Sequence, residues 1–165
     1  MHQTAHTPPD TRPPLPLGSR HTSPAFAGML ERIRYDGAYA TRAQAERATR
    51  PVLAALGRQL AAPDRSALAA VLPPEAADAL AGETAGALAG EAAGAEPLVP
   101  PAFVRDVAER TGGTTATARW ATEAVCATVA RVAGPVLTAR TIDRLPAGYG
   151  AFFGRTCPSR VGSAA

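Results

Sequence analysis

The chain has 165 residues, 46% of them apolar but only 5% aromatic, and a formal net charge of +3. That length suits one compact domain or two small ones, so mild a positive charge does not by itself establish a nucleic-acid partner, and two cysteines are too few for a secreted disulfide framework. No run approaches the roughly 18 apolar residues of a membrane span and no apolar stretch marks a secretory signal, so no membrane association is expected and the cytoplasm is the expected compartment. All 17 basic residues are Arg, with no Lys and no Asn anywhere, which fits GC-rich coding better than a functional preference for guanidinium.

Residues 1–22 carry Pro8-Pro9, Pro13-Pro14 and Pro16 among Thr and His, without helical or strand periodicity. They read as a disordered, partly polyproline-like tail. Ser23 before Pro24 is a helix start, a capping hydroxyl followed by a proline in the first turn. Phe26, Met29, Leu30 and Ile33 follow at helical spacing, and Gly37 ends the helix. A second helix is expected from about Thr41 to Leu60, with Ala45, Ala48, Val52, Leu53, Leu56 and Leu60 as its stripe. Pro51 should kink it, because proline lacks an amide donor and crowds the preceding turn. Arg42, Glu46 and Arg50 stand four apart and can pair on its outer face.

Asp64 is expected to cap a short third helix reaching Val71, and Pro73-Pro74 to open a fourth that ends near Leu80. Residues 81–100 are Ala, Gly, Glu and Pro with little periodicity, the composition of a linker. Phe103, Val104 and Val107 then line a helix stopped by Gly112-Gly113. Thr114 or Thr115 caps the next, which carries Ala118, Ala121, Val125, Cys126 and Val129 and ends at Gly134-Pro135. A further helix is expected over about Leu137–Arg144. Pro146 opens a last short one bearing Tyr149, Phe152 and Phe153, the natural anchors of a second core. Residues 154–165 read as another tail.

The plan runs twice. At an offset of 73, Thr41 falls on Thr114, Thr49 on Thr122, Val52 on Val125, Arg58 on Arg131, and Leu72-Pro73 on Leu145-Pro146. Pro24-Ala25-Phe26 and Pro101-Ala102-Phe103 match at 77, a difference that a loop absorbs at little cost. A duplicated helical unit is the expectation. One unit of about 55 residues is marginal alone, so the two should pack on each other.

With these features in view, the chain resembles the actinobacterial proteins of domain-of-unknown-function family 2267. The resemblance rests on Ala45-Glu46-Arg47-Ala48-Thr49-Arg50-Pro51-Val52-Leu53-Ala54-Ala55-Leu56, on Leu72-Pro73, and on Asp143-Arg144-Leu145-Pro146-Ala147-Gly148-Tyr149 with Phe152 closing a Leu-Pro-x-x-Tyr-x-x-Phe type of ending. It spans about residues 24–153, and Pro51 departs from the family's usual Ala. The resemblance implies an all-helical bacterial protein. It implies no reaction, since the family brings no agreed activity and no catalytic residues to carry over.

Residue chemistry points the same way. His2, His6 and His21 all lie in the N-terminal tail, so the folded part lacks the commonest general base and metal ligand. Without Lys there is no Schiff-base or phosphate-loop chemistry. Gly86, Gly90 and Gly94 recur in an acidic stretch that repels phosphate. Cys126 faces inward as a core thiol rather than a nucleophile, and Cys157 lies in the C-terminal tail. Asp106 and Glu109 share a helix but are flanked by Arg105 and Arg110, which suits surface pairing better than acid–base work.

The expected architecture is all-α: two tandem, sequence-related four-helix units, 23–80 and 101–153, packed into one helical domain between tails 1–22 and 154–165 and joined by the linker 81–100. The expected role is a non-catalytic protein-interaction or scaffolding module, self-association included, with no cofactor, metal or catalytic residue. Its surface is sought at Arg47, Arg50, Arg119, Trp120 and Arg131. The alternative is weak, sequence-independent nucleic-acid binding through Arg32, Arg34, Arg42, Arg47, Arg50 and Arg58 on one face and Arg119, Arg131, Arg140 and Arg144 on another.

Overall fold

A computed structural model of the protein describes residues 22–82 and 96–154. All but Thr22 and Gly154 of the expected tails, most of the expected linker, the three histidines, Cys157 and the Gly86, Gly90 and Gly94 series lie outside the described residues. Six helices follow in order: α1 (Pro24–Asp36), α2 (Arg42–Gln59), α3 (Ala62–Ala69), α4 (Pro74–Ala81), α5 (Pro100–Thr111) and α6 (Thr115–Asp143), then a 3-10 turn at Tyr149–Ala151. The described residues form no strand.

The helix ends have local chemical causes. Ser23 Oγ accepts from the Phe26 amide at 3.2 Å, and Thr41 Oγ1 from the Gln44 amide at 3.2 Å. Thr114 and Thr117 close a reciprocal capping box at the start of α6, which satisfies amides that have no partner inside the helix. Gly112 ends α5 in the left-handed region, φ 66°, where glycine carries no Cβ penalty. α2 runs on through Pro51 without a non-helical residue. The break expected at Gly134-Pro135 is present, with Gly134 at φ 78°, ψ 168°. It divides α6 into a first arm (115–133) and a second arm (135–143).

Two expectations need correction. Asp64 does not cap α3; Ala61 holds that position without a side-chain bond. Asp64 lies in the first turn, only 3% exposed, and takes Arg140 of α6 at 3.0 Å. The carboxylate is thus drawn to a guanidinium 76 residues away. The last short helix is one 3-10 turn. Gly148 at φ 102° and Gly154 at φ 72° flank it, and residues in that conformation cannot propagate a right-handed helix.

α2 is the central element, packed against α1, α4, α5 and α6, while α6 packs on α5, α2, α1, α3 and the 3-10 turn. One continuous core results, from Phe26, Leu30 and Ile33 through Val52, Leu53 and Leu56 to Phe103, Val125 and Val129. Phe103, Tyr149 and Phe152 form an aromatic cluster with edge-on contacts at 5.4 and 5.7 Å between ring centroids, a favoured geometry for ring quadrupoles.

Polar contacts also join the two parts of the chain. Arg58 of α2 pairs with Asp106 of α5, which Arg110 reaches at 3.0 Å. Leu98, leading into α5, is held at both backbone groups. Its amide donates to Gln59 Oε1 at 2.7 Å, and its carbonyl accepts from the Tyr149 hydroxyl at 2.8 Å. No buried side-chain polar atom among the described residues lacks a partner. Against the expectation of no spanning segment, α6 is long and apolar enough to cross a bilayer by length and composition. A third of its most apolar stretch, 33%, is nevertheless buried within the fold, and Gly134 interrupts it.

Candidate functional site

A surface groove lies between α1, the α3–α4 connection and α6. On α1 it uses Ala25, Gly28, Met29 and Arg32, the i, i+3, i+4, i+7 face of one helix. Val71–Pro74 closes one side, and Thr128, Arg131 and Val132 of α6 form the opposite wall. The groove measures about 560 Å³. Its floor is apolar, with Met29 and Leu72 buried. Val71 and Val132 on its rim remain 44% and 41% exposed. Gly28 is open: a Cβ placed there meets nothing within 4 Å.

The groove has a charged end. Asp36 Oδ2 accepts from Arg32 Nε at 2.9 Å and from Arg131 Nη1 at 3.2 Å. Two guanidinium groups, each about half exposed (48% and 53%), therefore share one carboxylate. Each guanidinium carries five N–H donors, of which the bond to Asp36 takes one on each side chain.

The five residues sought from sequence do not converge on one surface. Trp120 and Arg131 both stand on the first arm of α6, against the C-terminal end of α1. Trp120 is 55% exposed, and its indole N–H donates to the Gly37 carbonyl at 3.0 Å. Arg119 lies beside it, paired with Glu123 at 3.0 Å. Arg50 sits elsewhere, 5.6 Å over the Phe26 ring and bonded to Glu46 at 2.9 Å. It lines a separate recess with Pro51, Ala54, Asp78 and Arg110. Arg47 is exposed on α2. Of these five, the groove recruits Arg131 alone. Arg32, named from sequence only within the first arginine stripe, also lines the groove; Ala25, Gly28, Val71 and Val132 were not singled out from sequence as site residues. The available signals were a glycine within an apolar-periodic helix and two valines off the core stripes.

Another recess of about 630 Å³ is lined by Pro135, Val136, Ala139, Arg140, Asp143 and Arg144. All belong to one helical arm and its cap, so it is a helix flank rather than a cleft between elements.

Most arginines of the expected stripes pair with carboxylates, though Asp36 and Glu31 each serve two of them. Arg32, Arg34, Arg42, Arg50 and Arg58 of the first set pair with carboxylates, as do Arg119, Arg131 and Arg140 of the second. Cys126 is buried, and burial pushes its thiol up to about 12, far from the thiolate a nucleophile needs. Burial also raises the Tyr149 hydroxyl. Among the described residues no group of three or more His, Cys, Asp and Glu is placed to hold a metal.

Fold and surface together define a class: an all-helical domain with an apolar surface groove and a basic margin. The chain belongs to the family described as uncharacterized conserved protein (DUF2267), whose pattern matches residues 26–152. That span takes in all of α2 to α6 and all but the first two residues of α1. Comparison with curated proteins finds no match.

Proposed function

We propose that this domain is a non-catalytic protein-interaction module acting through the groove between α1, the α3–α4 connection and α6. The observation that carries the reading is the groove itself: an apolar floor between three elements with exposed valines on the rim. Depressions of this kind, apolar with a few charged groups at the edge, are where partner side chains are buried most effectively. The carboxylate pairing of most arginines favours a protein ligand over a phosphate backbone. The test is site-specific photocrosslinking. A benzophenone side chain at Val132, with a control at Ala43 on α2, is introduced in the native host. One discrete protein adduct at Val132 and none at Ala43 is the expected result. Equal, diffuse labelling at both positions contradicts the reading. Retention on duplex DNA that fades with added salt favours nucleic acid instead.

We further infer that the domain consists of two tandem units related by duplication. Several observations support this beyond the matching letters. Thr41 and Thr114 occupy the same cap position. Thr49 donates back to the Ala45 carbonyl at 2.7 Å, and Thr122 to that of Ala118 at 2.8 Å. The Gly57 carbonyl is met by Arg65 and the Ala130 carbonyl by Thr138, all at an offset of 73. The junction between α2 and α3 falls at the same offset as the break in α6 at Gly134. Other family members provide the test: their two halves, aligned at these positions, must match better than composition-matched shuffled sequences do.

A further inference from the structure

We infer that the groove takes a partner's amphipathic helix carrying a carboxylate at the end that meets Arg32 and Arg131. This rests on the groove being an interaction site, as proposed above, and names what fills it. The first argument is shape. The facing walls are helix stripes: Ala25, Gly28, Met29 and Arg32 on α1, and Thr128, Arg131 and Val132 on α6. A surface between two helices accepts a third by laying its apolar ridge into their channel. Small side chains at Ala25 and the bare Cα of Gly28, with free space above it, permit close approach of the incoming backbone. Between its ends the lining is mostly apolar, with Met29, Leu72 and Val132 beside Thr128, so the occupant's buried face should be apolar at helical spacing.

The second argument is charge. Arg32 and Arg131 reach Asp36 from opposite walls, leaving an excess of one positive charge at this end. A carboxylate arriving there meets two guanidinium groups with unused donors and forms charge-assisted bonds, the strong class of hydrogen bond. A basic side chain at the same place meets two like charges, so this end of the groove also fixes the direction in which the helix lies.

The test uses random display peptides long enough to form a helix, about 15 residues, selected on the intact protein. Three variants accompany it. Gly28→Trp fills the groove from a position with open space. Arg32→Gln with Arg131→Gln removes the charge, and Arg32→Glu with Arg131→Glu reverses it; helicity by circular dichroism checks that each folds. The expected peptides have apolar residues at i, i+3, i+4 and i+7 and an Asp or Glu at one end. Their binding is abolished by Gly28→Trp and weakened about tenfold or more by the double Gln variant. Selection on the double Glu variant should enrich Lys or Arg at the same place. Peptides blocked by Gly28→Trp but lacking acidic bias, and indifferent to the Arg substitutions, overturn the carboxylate inference while leaving the groove as a docking site. Absence of any peptide sensitive to Gly28→Trp overturns the groove reading itself. A dimer, or binding to phosphatidylserine vesicles, that Gly28→Trp abolishes assigns the groove to a second copy or to lipid, and either outcome overturns the proposal.

Discussion

Two glycines inside helices should respond to the same substitution with opposite sign. At Gly28 an added Cβ meets nothing within 4 Å. Alanine there removes backbone entropy from the unfolded chain and adds no clash, a gain of about 0.5–1 kcal/mol. At Gly57 the same Cβ would stand 1.9 Å from the Leu80 carbonyl oxygen, because α4 crosses α2 with its backbone against the glycine. Leu80 is fully buried, so α4 must shift as a unit to make room. Overpacking of this kind costs about 1–3 kcal/mol, and a rigid backbone neighbour places it at the upper end. Subtracting the propensity gain of about 1 kcal/mol leaves Gly57→Ala destabilised by about 1–2 kcal/mol. For a domain of this size each kcal/mol moves Tm by about 3–5 °C. Thermal unfolding followed by circular dichroism should therefore show Gly28→Ala melting higher than the parent and Gly57→Ala melting lower. If Gly57→Ala also melts higher, the close approach of α4 to α2 is wrong.

Other contacts make separate predictions. Tyr149→Phe removes the hydroxyl that serves the Leu98 carbonyl and should lower the free energy of unfolding in urea by about 1–2 kcal/mol without changing helicity. In a Cys157→Ala background, Cys126 should resist thiol reagents at pH 8 and react at once in denaturant, because burial holds its thiol near 12; rapid labelling of the native protein contradicts this. Ser23 donates its backbone amide and its hydroxyl to the Glu75 carboxylate, and the amide bond is the first cause of that carboxyl's lowered pKa. The folded state therefore binds the proton more weakly than the unfolded chain. The contact stabilises above the unfolded carboxyl pKa and is lost as pH falls through the lower folded value. Glu75→Gln should flatten that part of the acid limb, and an unchanged limb contradicts the assignment.

Features set by neighbours in the chain were legible in the sequence. Ser23-Pro24, Thr41, Thr114 and Gly112 mark helix ends through bonds spanning three or four residues, and all act as read. The buried stripes of α1, α2 and α6 follow from helical spacing alone. What was not legible depends on distant partners. Asp64 looked like a cap because a local rule fits it, but the pairing with Arg140 depends on how α3 lies against α6. The 3-10 turn was read as a helix from Pro146 and its aromatics. Gly148 outweighed that pattern, and the rings pack without one. The groove drew Arg131 from the expected surface and left Arg47, Arg50 and Arg119 outside. Its walls come from three separate elements, and no spacing rule brings Gly28 near Val132.

The shared core leads to a last prediction about the two parts of the chain. α2 packs against α1 and α4 from its own part of the chain and against α5 and α6 from the other. Val52, Leu53 and Leu56, fully buried in the whole domain, would lose part of their cover in a fragment ending at residue 82. Arg58, Asp64, Gln59 and the Gly37 carbonyl would each lose a partner from beyond residue 95. Three losses compound: apolar cover, polar partners, and a length near the limit at which a single core can offset chain entropy. Fragments 22–82 and 96–154 should each show weak helicity and no cooperative thermal transition. Mixed at concentrations high enough to associate, they should regain helical signal and a single melt. A cooperative transition in either fragment alone would place the stabilising contacts within the halves and remove the central role assigned here to α2.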